Sequence, residues 1–172
     1  MIRNIDHANV IHYGVDSLII RSGAKDNGHT TCLKIIKEEF PSPELISQLE
    51  NEFEICSRID SNSIRKALRK EQHDEHTAIV LEYIEGKNLF DFLENRQLAF
   101  HEQLRLALSI AAALYELQKE NVFHGQLHPS NIIIETNTHL PRVIDFGHAT
   151  VGNTFGSSHK FTNEKEIDHL LA

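Results

Sequence analysis

FHGQLHPSNIII (residues 123–134), a polar gap and then VIDFG (143–147) form the stretch that decides the fold. It reads as loop, strand, turn, strand and loop. The apolar run 132–134 predicts a short buried strand. Residues 143 and 144 predict a second strand, which delivers Asp145 at its carboxyl end. Gly147 follows, and it is free to take an unusual backbone conformation.

Two polar residues follow from this layout as metal ligands. Asn131 precedes the first strand and Asp145 follows the second. An asparagine and an aspartate at the ends of two paired strands can hold one Mg²⁺ from two sides. Mg²⁺ prefers oxygen ligands and often takes one or two from protein and others from substrate phosphates.

The same stretch resembles the catalytic loop and the metal loop of the protein kinase superfamily, H-R-D-L-x-x-x-N followed by D-F-G. The residues that match are His124, Leu127, Asn131, Asp145, Phe146 and Gly147. The wording H-G-x-L-H-P-x-N also resembles the aminoglycoside and choline phosphotransferases. Both comparisons expect an aspartate at position 126, where this chain has Gln126.

Composition limits the other functions. The chain has 172 residues, enough for one domain with a real core. Its net charge of −8 argues against nucleic acid or an anionic membrane as the main partner. No apolar run approaches the ~20 residues of a membrane span. Cys32 and Cys56 read as reduced core thiols of a cytoplasmic protein, and the twelve histidines lack the spacing of a zinc site.

The N-terminal half carries the kinase-like elements in order. Residues 8–22 predict two strands around Gly14 and Ser17, which fit a phosphate-gripping glycine loop and a plain hairpin equally. Thr30 to Lys37 predicts a strand, in which Lys34 occupies the place of the lysine in V-A-I-K and Lys37 points to solvent. The resemblance implies that Lys34 pairs with the α- and β-phosphates of ATP.

A helix follows from about Pro43 to Ile59, with Ser42 as its N-cap. Helical spacing puts Glu52 at the edge of its apolar face, which makes it the acidic residue aimed inward. A carboxylate there costs free energy unless it is paired. We therefore expect an ion pair between Glu52 and Lys34, the pairing that the kinase resemblance also implies.

EYIEGKNL (residues 82–89) resembles a kinase hinge, E-Y-x-x-G-x-x-L. By that match Leu81 is the gatekeeper, and the backbone of Glu82, Tyr83 and Ile84 hydrogen-bonds adenine. The preceding run, 77–81, is continuously apolar, which favours a strand inside the sheet.

The strongest helix prediction runs from His101 to Lys119, apolar over much of its girth like a central buried helix. After Gly147 the chain has little kinase material: a Gly/Ser/Thr-rich stretch and then a helix start at 164–171, as in small kinases of the RIO type. A short C-lobe would leave apolar surface on the His101 helix, which predicts a protein partner, self-association or a truncated chain.

Together these motifs predict an α+β, bilobal, protein kinase-like fold. Residues 1–84 are predicted to form an N-lobe with an antiparallel sheet and one helix, and residues 85–172 a minimal or truncated, mostly helical C-lobe. Residues 37–45 also resemble the N-lobe of large bacterial multidomain sensor Ser/Thr kinases. The implied ligands are ATP and Mg²⁺.

Activity depends on Gln126 and His128. The kinase aspartate at position 126 accepts the proton of the substrate hydroxyl, and an amide is not a base near neutral pH. His128 replaces the lysine that steadies the transferred phosphoryl group in protein kinases. Three readings stay open: a nucleotide-binding pseudokinase or very weak phosphotransferase, a working protein or small-molecule kinase, and an interaction module that binds no nucleotide.

Overall fold

The structure is a computed structural model that describes residues 9–26, 29–73, 76–94 and 96–152. These residues group into two compact units. The first unit holds the chain up to Asp60 together with Arg65–Ile84, and the second holds Ser61–Ile64 and the chain from Glu85. Our sequence boundaries placed residues 61–64 in the N-lobe. They join the second unit because Ile64 makes a parallel bridge to Val143.

The first unit is one five-stranded antiparallel sheet with one helix. Its elements are β1 (Val10–Tyr13), β2 (Ser17–Asp26), β3 (His29–Ile36), α1 (Pro43–Arg58), β4 (Ala67–His73) and β5 (His76–Glu82). The strand order β1-β2-β3-β5-β4 gives β5 a neighbour on each side, as its continuous apolar run predicted. Leu18, Ile20, Ile35 and Ala78 form a buried cluster of the core.

The helix α1 follows its sequence signals closely. The Ser42 hydroxyl accepts the Leu45 amide at 3.3 Å, and Pro43 opens the helix. Its buried face consists of Leu49, Glu52, Ile55 and Cys56. The capping residue and the apolar spacing thus fix both the start of α1 and the face that meets the sheet.

The second unit combines short strands with two helices. Its elements are β6 (Gly86–Asn88), α2 (Leu89–Leu93), α3 (Phe100–Lys119), β7 (Val122–Phe123), a 3₁₀ turn (Pro129–Asn131), β8 (Ile132–Glu135), β9 (Pro141–Val143) and β10 (Thr150–Val151). β8 lies between β6 and β9, and β7 pairs with β10. The predicted α+β class, with an antiparallel sheet in the N-terminal unit, is confirmed.

The prediction that the His101 helix is buried around its girth is wrong. Only Ala113 and Leu117 of α3 are buried, where the helix packs on β7 and β9. A stripe on another side of α3 is exposed: Phe100 at 78%, Leu104 at 50%, Leu108 at 62% and Tyr115 at 60%. The helix carries two apolar stripes, and the described residues of the second unit cover one of them.

Three smaller expectations concern the membrane, the cysteines and the tail. Within the described ranges, no helix is long and apolar enough to cross a membrane. Cys32 and Cys56 are both buried, as predicted, and they form no disulfide with each other. The predicted helix start at 164–171 lies outside the described residues.

Candidate functional site

An ion pair inside the first unit joins the predicted lysine and glutamate. The Lys34 Nζ lies 2.5 Å from the Glu52 Oε2, and the two side chains are 13% and 1% exposed. The other carboxylate oxygen of Glu52 is buried without a hydrogen-bond partner among the described residues. The predicted pair is therefore present, and the buried carboxylate relies on its contact with Lys34.

The predicted glycine loop is a tight turn between β1 and β2. The Gly14 amide donates to the Ser17 carbonyl at 3.0 Å. The Lys37 Nζ donates to the Gly14 carbonyl oxygen and lies 4.6 Å from the centroid of the Tyr13 ring. Our expectation of a solvent-directed Lys37 is wrong, because these contacts hold it half-buried against the turn. Phosphate binding by Gly14 and Ser17 stays a prediction.

The hinge-like segment 82–84 begins at the last residue of β5, and two of its three backbone amides are hydrogen-bonded to neighbouring backbone carbonyls. The Glu82 amide donates to the Lys66 carbonyl at 2.9 Å, and the Tyr83 amide donates to the Thr30 carbonyl at 2.8 Å. The Ile84 amide makes no hydrogen bond with the residues that the structure describes. Leu81 is fully buried. Of the amides predicted to meet adenine, Ile84 is thus the one that the sheet leaves available.

In the second unit, His124 ties the catalytic-like loop to the residues that follow β9. Its ring is 3% exposed. The Nε2 atom bonds the Ile144 carbonyl at 2.9 Å, and Nδ1 accepts the Gln126 amide at 3.3 Å. These two bonds require the neutral tautomer with its proton on Nε2. The Phe146 ring packs on the same imidazole, with 4.8 Å between centroids.

Asn131 is held by both ends of its loop. It is 7% exposed, and its Nδ2 donates to the Gln126 carbonyl at 2.9 Å and lies 3.3 Å from the His128 Nε2. The Ile144 amide donates to the Asn131 carbonyl at 3.0 Å. With the amide nitrogen engaged, the side-chain oxygen Oδ1 accepts no hydrogen bond from the described part of the chain.

Asp145 takes the unusual conformation that we expected two residues later, at Gly147. Its φ is +67°, while Gly125 is the described glycine with a positive φ. A left-handed conformation costs a non-glycine residue about 1–2 kcal/mol. It occurs in the residue directly after Ile144, whose carbonyl and amide are bonded to His124 and Asn131. Neighbouring bonds thus hold the backbone that presents the Asp145 carboxylate.

The donor set of Asn131 and Asp145 fits a magnesium ion. An amide oxygen without a hydrogen bond and a half-buried carboxylate are the hard oxygen ligands that Mg²⁺ prefers. Within the described ranges there is no group of three or more His, Cys, Asp or Glu suited to a metal. An ion held by these two residues would complete its shell with phosphate and water oxygens.

The loop presents Gln126 and His128 to solvent. The backbone of Gln126 is fixed from both sides, by the His124 ring and the Asn131 amide. Gly125 before it has a φ of +79°, and a Cβ there would collide with the His148 carbonyl oxygen. The backbone of the loop is therefore fixed, while the side chain at position 126 is an exposed amide.

Sequence reasoning matched His124 to the kinase motif but missed its structural role. It also missed Arg65, a buried guanidinium at 6% exposure. The pattern I-R-K-A at 64–67 gave no signal of burial, because it is too short to show a period.

The sequence matches one protein family and is similar to several kinases. The protein kinase domain family matches residues 5–166. A probable serine/threonine-protein kinase of Clostridium perfringens is 26% identical over 87% of this chain and 23% of its own length. The calmodulin-binding receptor-like cytoplasmic kinase 1 of Arabidopsis thaliana is 29% identical over 83% of this chain and 32% of its own.

Calcium-dependent protein kinase 5 of Plasmodium falciparum is 27% identical over 77% of this chain and 23% of its own length. This chain therefore belongs to the protein kinase domain family. It spans about a quarter to a third of the length of these three relatives.

Proposed function

We propose that this chain binds ATP with Mg²⁺ and acts as a pseudokinase or a very weak phosphotransferase. The observation that carries the proposal is the contrast within one loop. His124 and Asn131 are buried and hydrogen-bonded, whereas the position of the catalytic base holds an exposed glutamine. The proposal thus separates nucleotide and metal binding, which the buried residues support, from proton transfer, for which position 126 has no base.

The proposed roles follow from chemistry. Lys34 binds the α- and β-phosphates and is oriented by Glu52. Asn131 and Asp145 hold the Mg²⁺, which neutralises charge on the phosphate oxygens when it is bound. Gln126 donates or accepts a hydrogen bond at the acceptor hydroxyl without removing its proton. His128, in place of the lysine, offers an imidazole nitrogen as a hydrogen-bonding group toward the transferred phosphoryl group.

Thermal stability with and without MgATP tests nucleotide binding. A ligand that binds only the folded state adds RT ln(1 + [L]/Kd), about 2.7 kcal/mol at a hundredfold excess over Kd. We expect a metal-dependent rise in the unfolding temperature that Asp145→Ala abolishes. Asp60→Ala is the matched control, because the Asp60 side chain is 95% exposed. A folded wild type that shows no rise with MgATP contradicts the proposal.

Phosphotransfer assays test the role of position 126. General-base catalysis contributes typically 10²–10⁴-fold, so Gln126→Asp should raise ATP-dependent phosphorylation by about 10²-fold or more. Gln126→Asn is the control, because it has the shape of aspartate without the base. Wild-type phosphorylation well above a Lys34→Ala background would instead establish a working kinase, with a protein or small-molecule hydroxyl as acceptor.

A second candidate is an interaction module, supported by the exposed stripe Phe100, Leu104, Leu108 and Tyr115 on α3. Contiguous exposed apolar residues mark contact surfaces, and here they would bind a protein partner or a second copy of the chain. Light scattering should then show concentration-dependent association that Leu108→Glu removes and that Gln118→Glu, at an exposed polar position, retains. A monomer at all concentrations excludes the self-association arm.

The proposed location is the cytoplasm, where ATP is available and thiols stay reduced. Cys32 and Cys56, which are both buried and form no disulfide with each other, support that location.

A further inference from the structure

Arg65 is a buried cation that the described residues leave without a partner. Its side chain is 6% exposed, and its Nε is buried with no hydrogen-bond acceptor. No hydrogen bond or ion pair joins its guanidinium to any residue that the structure describes. Glu52 does not neutralise it, because one oxygen of Glu52 contacts Lys34 and the other has no partner. A buried charge without a partner costs several kcal/mol.

We infer from strand spacing that Arg65, two residues before β4 begins, lies on the face of the sheet that carries Cys32 and Leu81. Ala67 is the cross-strand partner of Leu81, and Leu81 is the partner of Cys32, so these three side chains share one face. Arg65 precedes Ala67 by two residues, which is the spacing of one face of an extended chain. Lys66 between them is fixed to Glu82 by the 2.9 Å bond to its carbonyl oxygen.

The electrostatics of Cys32 agree with this placement. Burial raises the pKa of the Cys32 thiol, and among the surrounding charges the Arg65 guanidinium has the largest effect, in the opposite direction. The direction of this effect agrees with the cross-strand pairing, which puts Arg65 on the face of Cys32, a residue of the strand paired with β5.

We propose that Arg65 reads the base of the bound nucleotide and favours guanine over adenine. The inference rests on the proposed nucleotide binding and names the base that the site prefers. A guanidinium has five N–H donors in a planar fork and no acceptor. The O6 and N7 atoms of guanine are two adjacent acceptors that match this fork, and arginine pairs with them in nucleic-acid recognition. Adenine offers N7 alone, next to an amino group that opposes a donor.

Affinity measurements with four nucleotides test the proposal. We expect wild type to bind MgGTP roughly tenfold or more tighter than MgATP, since a good bidentate pair discriminates by that factor. Inosine triphosphate keeps O6 and N7 and should bind like GTP. 7-Deaza-GTP lacks N7 and should bind more weakly than GTP.

Arg65→Met should weaken the affinity for MgGTP by about tenfold and leave the affinity for MgATP within about twofold of the wild-type value. The variant would then have no preference for guanine. Lys66→Met is the matched control, because it removes the adjacent positive charge, which contacts Asp60 at the surface. That variant should retain the preference. Arg65→Met without nucleotide should unfold at or above the wild-type temperature, because an unpaired buried cation is replaced by an apolar side chain.

Each outcome decides the matter. ATP binding equal to or tighter than GTP binding in the wild type overturns the base preference and leaves nucleotide binding standing. An unchanged ratio in Arg65→Met also overturns it, and so does a large fall in the unfolding temperature of that variant. A folded protein that binds neither nucleotide overturns the proposed function and the base preference together.

Discussion

The ion pair of the first unit matches the kinase pattern in both side chains, whereas the loop of the second unit matches it in its buried residues alone. Lys34 and Glu52 keep both charged groups of the motif, buried and in contact. The loop has its frame in His124 and Asn131, with an exposed glutamine where the kinase pattern has its aspartate. Removing one member of a buried ion pair leaves an unpaired charge inside the protein, which destabilises the fold. An exposed side chain on a fixed backbone can be replaced with little change in stability. Charge and fold are thus coupled in the first unit, whereas the side chain at position 126 is separable from the fold of the second.

The largest expected effect is in the ion pair. Lys34→Ala should lower the free energy of unfolding by about 3–5 kcal/mol, because it leaves the Glu52 carboxylate buried and unpaired. Urea denaturation measures the loss. Lys119→Ala is the control, since its contact with Glu116 is exposed and should be worth less than about 1 kcal/mol. Equal losses in the two variants would contradict the coupling of fold and charge in the first unit.

In the second unit, removing the His124 side chain should lower the free energy of unfolding nearly as much as removing Lys34 does in the first. His124→Ala removes the packing on Phe146 and leaves the Ile144 carbonyl and the Gln126 amide without their partner. We expect a loss of about 2–4 kcal/mol in chemical denaturation. His124→Phe keeps the ring packing and should recover part of that loss. If both variants unfold like the wild type, the histidine does not hold the loop.

A smaller effect is expected one residue along. Gly125→Ala forces a side chain into a left-handed conformation and against the His148 carbonyl. The expected cost is about 1–3 kcal/mol, measured by thermal or urea unfolding. Gln126→Ala changes the neighbouring exposed side chain and should stay within about 0.5 kcal/mol of the wild type. Similar values for the two would show that the loop backbone adapts, and the frame would then not be fixed.

The smallest expected effect is on the pH dependence of stability, through Cys32 in the sheet of the first unit. Burial raises the pKa of Cys32, so the folded protein keeps the thiol proton to higher pH than the unfolded chain. The resulting stabilisation is complete below the ordinary cysteine pKa of about 8.5 and is lost as pH rises through the folded value. Wild type should therefore lose stability relative to Cys32→Ala between about pH 8 and pH 10. A difference that does not change over this range contradicts the prediction.

The sequence predicted the elements whose signals are local and periodic. The capping serine and the apolar spacing of α1 gave its start, its buried face and the inward position of Glu52. The ion pair with Lys34 followed because only one strand lysine lay at the matching position of the kinase pattern. Motif and periodicity agreed there, and the structure has the predicted contact.

Where two patterns were equally good, the sequence did not decide. On α3, Leu106 and Ile110 lie on a half-buried stripe, while Leu104 and Leu108 are exposed. Both stripes have helical spacing, and the strands β7 and β9 select one of them through contacts distant in sequence. The positive φ at Asp145 and the burial of Arg65 likewise depend on such distant contacts.

The conformation of Gly125 makes the order of substitutions matter. An aspartate can enter at position 126 in one step, because the backbone there is already fixed and the side chain is exposed. An arginine at position 125, which the kinase pattern has, first requires the His148 carbonyl to move away. Changes toward the H-R-D pattern are therefore expected to be tolerated at position 126 before position 125.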